Sequence, residues 1–346
     1  MSERDVELTQ WAQYGGCGAK VPPNMLEQAL CTLPRIEYPE VLSDFGHSED
    51  CGVYRLSENQ ALVQTVDFFP PMCDDPFTFG RIAACNSLSD VYAMGAQPIS
   101  AVSIACFPHE QLDMKYLTQI LEGALDALKE ARCALLGGHT IRDSSLTFGL
   151  AVNGLVDPSV MWSNNTWKED HVLILTKPIG VGVINQAMKA ELATAEQADT
   201  ALNSMATLNK KAKEVLSQYE VSACTDVTGF GLAGHLIEMT IDNPIGAVLE
   251  TSLIPIIDGV LDYIAMGLIP MGAYTNIDSR ASLISNFDEV DENMKYLLFD
   301  PQTSGGLLAA VPKEVEQEVL EALHTKGVDA TTIGYTDASF EGIRIN

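Results

Sequence analysis

Hydrophobic spacing divides the chain into a broken start and two regular stretches. Residues 52–56 and 61–66 place β-prone side chains on either side of the polar turn Ser57-Glu58-Asn59, a strand–turn–strand signal. Residues 79–94 are alanine-rich and stop at Gly95, which predicts a helix. Across 111–132, Leu117, Ile120, Leu121, Leu125 and Leu128 recur at helical spacing. Apolar β-prone runs at 99–106, 134–136 and 148–156 predict further strands. The last two flank a polar, glycine-rich stretch, GGHTIRDSS, which reads as a loop. Strands and helices are intermixed, so the fold class is α+β or mixed α/β.

Residues 158–170 are polar and lack a period, and the domain boundary is expected there. Beyond it, 171–176 and 307–311 read as strands, with helices at 183–189, 231–240 and 313–326 and one or two across 196–219. The predicted organisation is an arm over 1–49, a first domain over 50–157, a linker over 158–170 and a second domain over 171–346. The arm is expected because Gly15, Gly16 and Gly18 surround Cys17, and because Pro22, Pro23, Pro34 and Pro39 interrupt the next stretch. One short helix fits 24–33.

Of 346 residues, 47% are apolar, enough for a large core. Lys and Arg number 20 against 47 Asp and Glu, a formal charge of −27. That excess argues against direct nucleic-acid binding or attraction to an anionic membrane. It does not exclude a phosphate substrate carried by divalent cations on carboxylates. None of the eight cysteines forms a CxxC pair, so a zinc ribbon fails on spacing. The polar first residues carry no signal peptide, and no uncharged apolar run reaches membrane-span length, which predicts a cytoplasmic protein.

Four aspartates stand at informative places. Asp50 precedes the first strand and Asp67 ends the second. Asp90 lies in the alanine-rich helix four residues after Asn86, so the two share a face. Asp226 follows a short β-prone run. Carboxylates converging from separate elements can hold magnesium ions around a polyphosphate, although a strand-end aspartate also serves as a turn or cap. No Walker A pattern is present. Glycine pairs at 15–18, 137–138, 177–182, 229–234 and 303–306 can present backbone N–H groups to phosphate or form plain tight turns. GFGLAG at 229–234 matches a dinucleotide fingerprint, but the chain after Glu250 is interrupted by proline and glycine, against repeated βαβ units. Cys17, glycine-flanked with Lys20 three residues on, is expected to be exposed, with the lysine favouring its thiolate. An incidental cysteine in an untidy terminal segment fits the same residues.

The ordered set GGCGAK, SEDCGVY, TVDFFPP, FGRIAACNSLSDVYAMG, LLGGHTI, LTKPIGVG, TDVTGFGLAGHL and DPQTSGGLL spans nearly the whole chain. Together these stretches resemble the selenophosphate synthetase (selenide, water dikinase) family. The resemblance implies an AIR-synthetase-like two-domain fold, with an N-terminal domain forming a dimeric β-barrel and a C-terminal α/β sandwich-like domain. It implies a homodimer that converts ATP, selenide and water to selenophosphate, phosphate and AMP. Magnesium is the implied cofactor and ATP a substrate, with room for a monovalent cation and a selenium-delivery protein. Cys17 and Lys20 match the catalytic positions, and Asp50, Asp67, Asp90 and Asp226 the metal-binding ones. Asn86, Gly138, His139 and Thr140 fall in nucleotide-site segments, which Lys20, Asp50, Asp67 and Asp90 also serve. Two departures are Ala19, where some relatives have a second cysteine, and Glu49, where many have an aspartate. The competing readings are an ADP-releasing enzyme of the same superfamily and a silent nucleotide-binding regulator.

Overall fold

The computed structural model describes residues 6–12, 15–21, 23–34, 38–44 and 49–346. Residues 1–5, Tyr14, Pro22 and Ser48, which entered the reading of the arm and of SEDCGVY, lie outside the described residues. Among the described residues no helix is long and apolar enough to cross a membrane.

The first sheet contains β1 (Val41–Ser43), β2 (Gly52–Ser57), β3 (Gln60–Phe69), β4 (Gln97–Phe107), β5 (Ala134–Arg142) and β6 (Thr147–Val156), ordered β1-β2-β3-β6-β4-β5. Only β4 and β5 run parallel, and the Met114–Ala131 helix is the crossover such a pair requires. GGHTIR is therefore strand, not loop. Gly138 suits it because a Cβ there would lie 2.0 Å from Ser103 Oγ of the neighbouring strand.

The Pro76–Ala93 helix starts where Asp75 accepts the Thr78 N–H at 2.8 Å, with Pro76 preset for the first turn. It is buried nearly all round because it lies between the first sheet and the second domain. It crosses the Met114–Ala131 helix at glycines. A Cβ on Gly80 would sit 1.8 Å from Ile120 O, and one on Gly123 1.9 Å from Phe77 O. The crossing holds Asn86 and Asp90 against β3.

The second sheet contains β7 (His171–Leu175), β8 (Ala223–Asp226), β9 (Gly246–Leu249), β10 (Leu307–Pro312), β11 (Thr331–Asp337) and β12 (Ile343–Ile345), ordered β12-β9-β11-β7-β10-β8. Helices Ala195–Met205 and Lys210–Leu216 are the two that 196–219 allowed. GFGLAG does join a strand to a helix, β8 to Gly231–Thr240. Yet β8 is an edge strand antiparallel to β10, and the next strand, β9, lies four positions away. No parallel βαβ unit forms there, so the dinucleotide reading fails on topology.

Candidate active site

Alternation along β3 points Thr65 and Asp67 toward the Pro76–Ala93 helix. From that helix, Asn86 Nδ2 donates to Asp67 Oδ2 at 2.6 Å, and Asp90 accepts the Thr65 hydroxyl. The second domain contributes Asp226 at the end of β8, 1% exposed, and Thr225 beside it. The Thr225 hydroxyl donates to Asp50 Oδ1 at 2.9 Å, tying the two domains together at the entrance to β2. All four predicted aspartates thus converge on one seam.

Burial, and then the neighbouring aspartates, push the carboxyls of Asp50 and Asp90 well above the usual carboxylate range. Asp226 is raised chiefly by burial, opposed by Ser89, His235 and Lys20 and reinforced by Asp67. Acidic groups sharing one seam repel, and Lys20, Thr65, Thr225 and Ser89 offset part of that. Asp50 Oδ2 and Asp226 Oδ2 are buried without a hydrogen-bond partner. An oxygen-only donor set with orphaned lone pairs suits a hard divalent cation. Among the described residues no three His, Cys, Asp or Glu side chains form a ready metal cage.

Cys17 departs from its expected setting. It lies in a short 3-10 turn, Gly16–Ala19, and is 1% exposed. Its thiol donates to Asn86 Oδ1 at 3.2 Å, and its backbone N–H donates to Thr303 Oγ1 at 3.1 Å. Burial pushes the thiol up to about 12 against the pull of Lys20, so it is a neutral thiol in this seat. The flanking glycine serves close approach rather than exposure: a Cβ on Gly16 would lie 2.3 Å from Thr303 Oγ1. Lys20 Nζ stands 4.0 Å from Asp67 Oδ1 and 5.8 Å from the Phe230 ring centroid. Asp67 raises the lysine further, so its charge is fixed. A cavity of about 280 Å³ opens beside Cys17 and Lys20, lined also by Gly229, Phe230, Met271 and Asn276.

Gly138, His139 and Thr140 are not brought to the carboxylates of their own chain. Asp67, Leu150, Ser103 and Gly138 form one row across the first sheet. Three interstrand steps separate the ends, about 14 Å. Glu49 also turns away, accepting from Ser163 Oγ and, at 3.1 Å, from the Asn164 N–H. Residue-by-residue reading missed Thr65, Thr225, Thr303 and Ser304. For Thr303 and Ser304 the signal was the TSGG turn, whose Ser304 N–H donates to Asn86 Oδ1 at 2.9 Å, while Thr65 and Thr225 stand in the stretches TVDFFPP and TDVTGFG that also carry Asp67 and Asp226.

Residues 48–156 match the family described as AIR synthase related protein, N-terminal domain, and 168–345 its C-terminal domain. A selenide, water dikinase of Pelobacter propionicus is 42% identical over 333 residues, 96% of each chain. One from Myxococcus xanthus is 42% identical over 340 residues, 98% of this chain and 96% of its own. Among solved structures, thiamine-monophosphate kinase from Stenotrophomonas maltophilia superposes with a TM-score of 0.65 at 16% identity, covering 95% of this chain and 96% of that one. The E. coli hydrogenase maturation protein HypE gives 0.63 at 19%, covering 84% and 86%. The solved structures establish the AIR-synthase-like fold. With relatives this similar along nearly its whole length, the chain belongs to the selenide, water dikinase family.

Proposed function

We propose that this chain makes selenophosphate, AMP and phosphate from ATP, selenide and water. One observation carries the reading: four buried or half-buried aspartates from two domains meet beside Lys20 and Cys17. Asp50, Asp67, Asp90 and Asp226 would hold magnesium together with the ATP phosphates. Bound by them, magnesium would supply charge neutralisation to the phosphoryl oxygens. The aspartates bind and orient. Lys20 presents a permanent positive charge to the oxygens that gain charge during transfer. Selenide takes the γ-phosphoryl group, and water then cleaves the remaining ADP to AMP and phosphate. Cys17 guards the selenium side. Seated on Asn86 it is neutral. Held there beside Lys20, it would position the selenide for attack or organise the closed arm, with no S–Se bond required.

Homodimerisation belongs to the same proposal. One face of the first sheet lies against helices, while the other leaves Tyr54, Val66, Phe68, Val102 and Ile141 exposed. Such a contiguous apolar face suits a second copy. A dimer closed there would bring the edge carrying Gly138, His139 and Thr140 toward the other protomer's cleft, which the 14 Å row denies within one chain. Anaerobic turnover of ATP with and without selenide, followed by phosphorus NMR, tests the activity. Selenide-dependent AMP and a phosphorus–selenium product are expected. Release of ADP alone would transfer the chain to another reaction of the superfamily.

A further inference from the structure

Lys177 is a buried cation that the proposed mechanism leaves unused. It is 6% exposed, and its Nζ donates to two backbone carbonyls, Thr207 O at 2.7 Å and Ser304 O at 2.8 Å. Burial pulls this amine down to about 8, yet at neutral pH it is still mostly an ammonium. Both of these acceptors are carbonyls, and burying an ammonium is expensive, so what those carbonyls belong to matters.

Ser304 is a non-glycine residue at φ +51°, in the left-handed region. Its hydroxyl is buried without a partner, so the side chain does not hold the turn there. The peptide groups do. Ser304 O is fixed by Lys177, and Ser304 N–H donates to Asn86 Oδ1, the oxygen that also accepts the Cys17 thiol. Thr303, one residue earlier, accepts the Cys17 N–H. Gly305 O is held separately by Asn209 Nδ2 at 2.8 Å. Gly306 lets the turn lie on the lysine's own backbone, since a Cβ there would meet Lys177 N at 2.5 Å.

From this chain of contacts we infer that Lys177 is a positioning residue: it holds the 303–305 turn in its left-handed shape and thereby seats Cys17 and orients Asn86 toward Asp67. The inference rests on the selenide-dikinase reading for its kinetic consequence and not for its structural one. Lys177→Met keeps the apolar stem and removes the donors. Misplacing Cys17 and Asn86 is expected to lower kcat by about 10²-fold. KM for ATP should hold, because the carboxylates remain. Peptide-level mass spectrometry should show Cys17 alkylated by iodoacetamide faster than in the wild type, with Cys224 as the buried internal control.

The discriminating variant is Lys177→Met combined with Ser304→Gly. Glycine adopts positive φ without strain, so the turn should regain its shape unaided. Slow alkylation of Cys17 and most of kcat should return. A general packing defect at Lys177 would not be repaired that way. Unchanged Cys17 alkylation and kcat in Lys177→Met, or no recovery with Ser304→Gly, overturns the inference. If Lys177→Met does not fold, Lys177→Gln is measured by the same alkylation and rescue criteria. Alkylation needs no selenide, so an inactive wild type would count against the activity and leave this test intact.

Discussion

In the first sheet one face packs on helices while the other exposes large apolar side chains, with Phe68 and Val66 each 52% exposed. In the second, β7, β8, β9 and β10 are buried at every position. Both sheets have six strands. The difference is what each completes. The second sheet finishes a core inside one chain and can hold its edge rigidly, so Asp226 arrives at the seam on a fixed strand. The first carries most of the candidate site, with Asp67 on β3 facing the helices, and leaves large apolar side chains exposed on its reverse side.

A charge placed on each sheet is the most severe way to break this contrast. Leu173→Asp, fully buried in β7, should cost about 4–5 kcal/mol or more and leave little folded protein in a thermal melt. Phe68→Asp on the open face should leave a folded chain that sediments at half the wild-type mass. A Phe68→Asp protein that stays dimeric would remove the open face from assembly.

Next in size are the seam aspartates. Asp67→Asn should lower turnover by about 10²–10³-fold. Asp226→Asn should do the same and also stabilise the protein without nucleotide or magnesium, by about 1–2 kcal/mol. The sign comes from its raised carboxyl: the fold prefers the proton, so ionisation at neutral pH destabilises, and an uncharged amide removes that penalty. Calorimetry beside turnover checks both; an Asp226→Asn protein that melts lower would deny that burying the ionised carboxylate destabilises the seam. Cys17→Ser should keep part of the ATP affinity but lose the phosphorus–selenium product, since a hydroxyl lacks the polarisable sulfur.

The smallest effect concerns Asp300, which is buried, accepts from Gly182 N–H, Val183 N–H and Gln302 Nε2, and is pushed by burial to about 7. Unfolded, it titrates near 3.9. Between about pH 4 and pH 7 the folded chain binds the extra proton, so this group's contribution to stability falls as pH rises through that window. Asp300→Asn should flatten the stability–pH curve there. A curve of unchanged slope would assign the acid–alkaline trend to other groups.

Much of this architecture was readable from spacing. The interval of four between Asn86 and Asp90 put both on the face that meets β3, and the stop at Gly95 marked the helix end. What escaped depends on contacts without local pattern. The Ser304 N–H reaches Asn86 across 218 residues, and nothing near either residue announces it. Glycines misled at one place: 137–138 were read as a loop, whereas Gly138 makes room for Ser103 of the next strand. At Gly16 the positive φ of +53° and the closeness of Thr303 both call for glycine. The short strands β1 and β9 have three and four residues, too few for a period to register.

The bond from Cys17 N–H to Thr303 spans 286 residues, and that distance sets an order of events during synthesis. The first sheet has all its strands once residue 156 has emerged. The thiol's seat does not exist until the 303–305 turn has been made. At about 10 residues per second, that leaves Cys17 unseated on the ribosome for roughly half a minute after it is made. Throughout that interval the thiol lacks its buried seat and has the reactivity of an ordinary exposed cysteine. Oxidants and electrophiles therefore have their easiest access to Cys17 in the nascent chain.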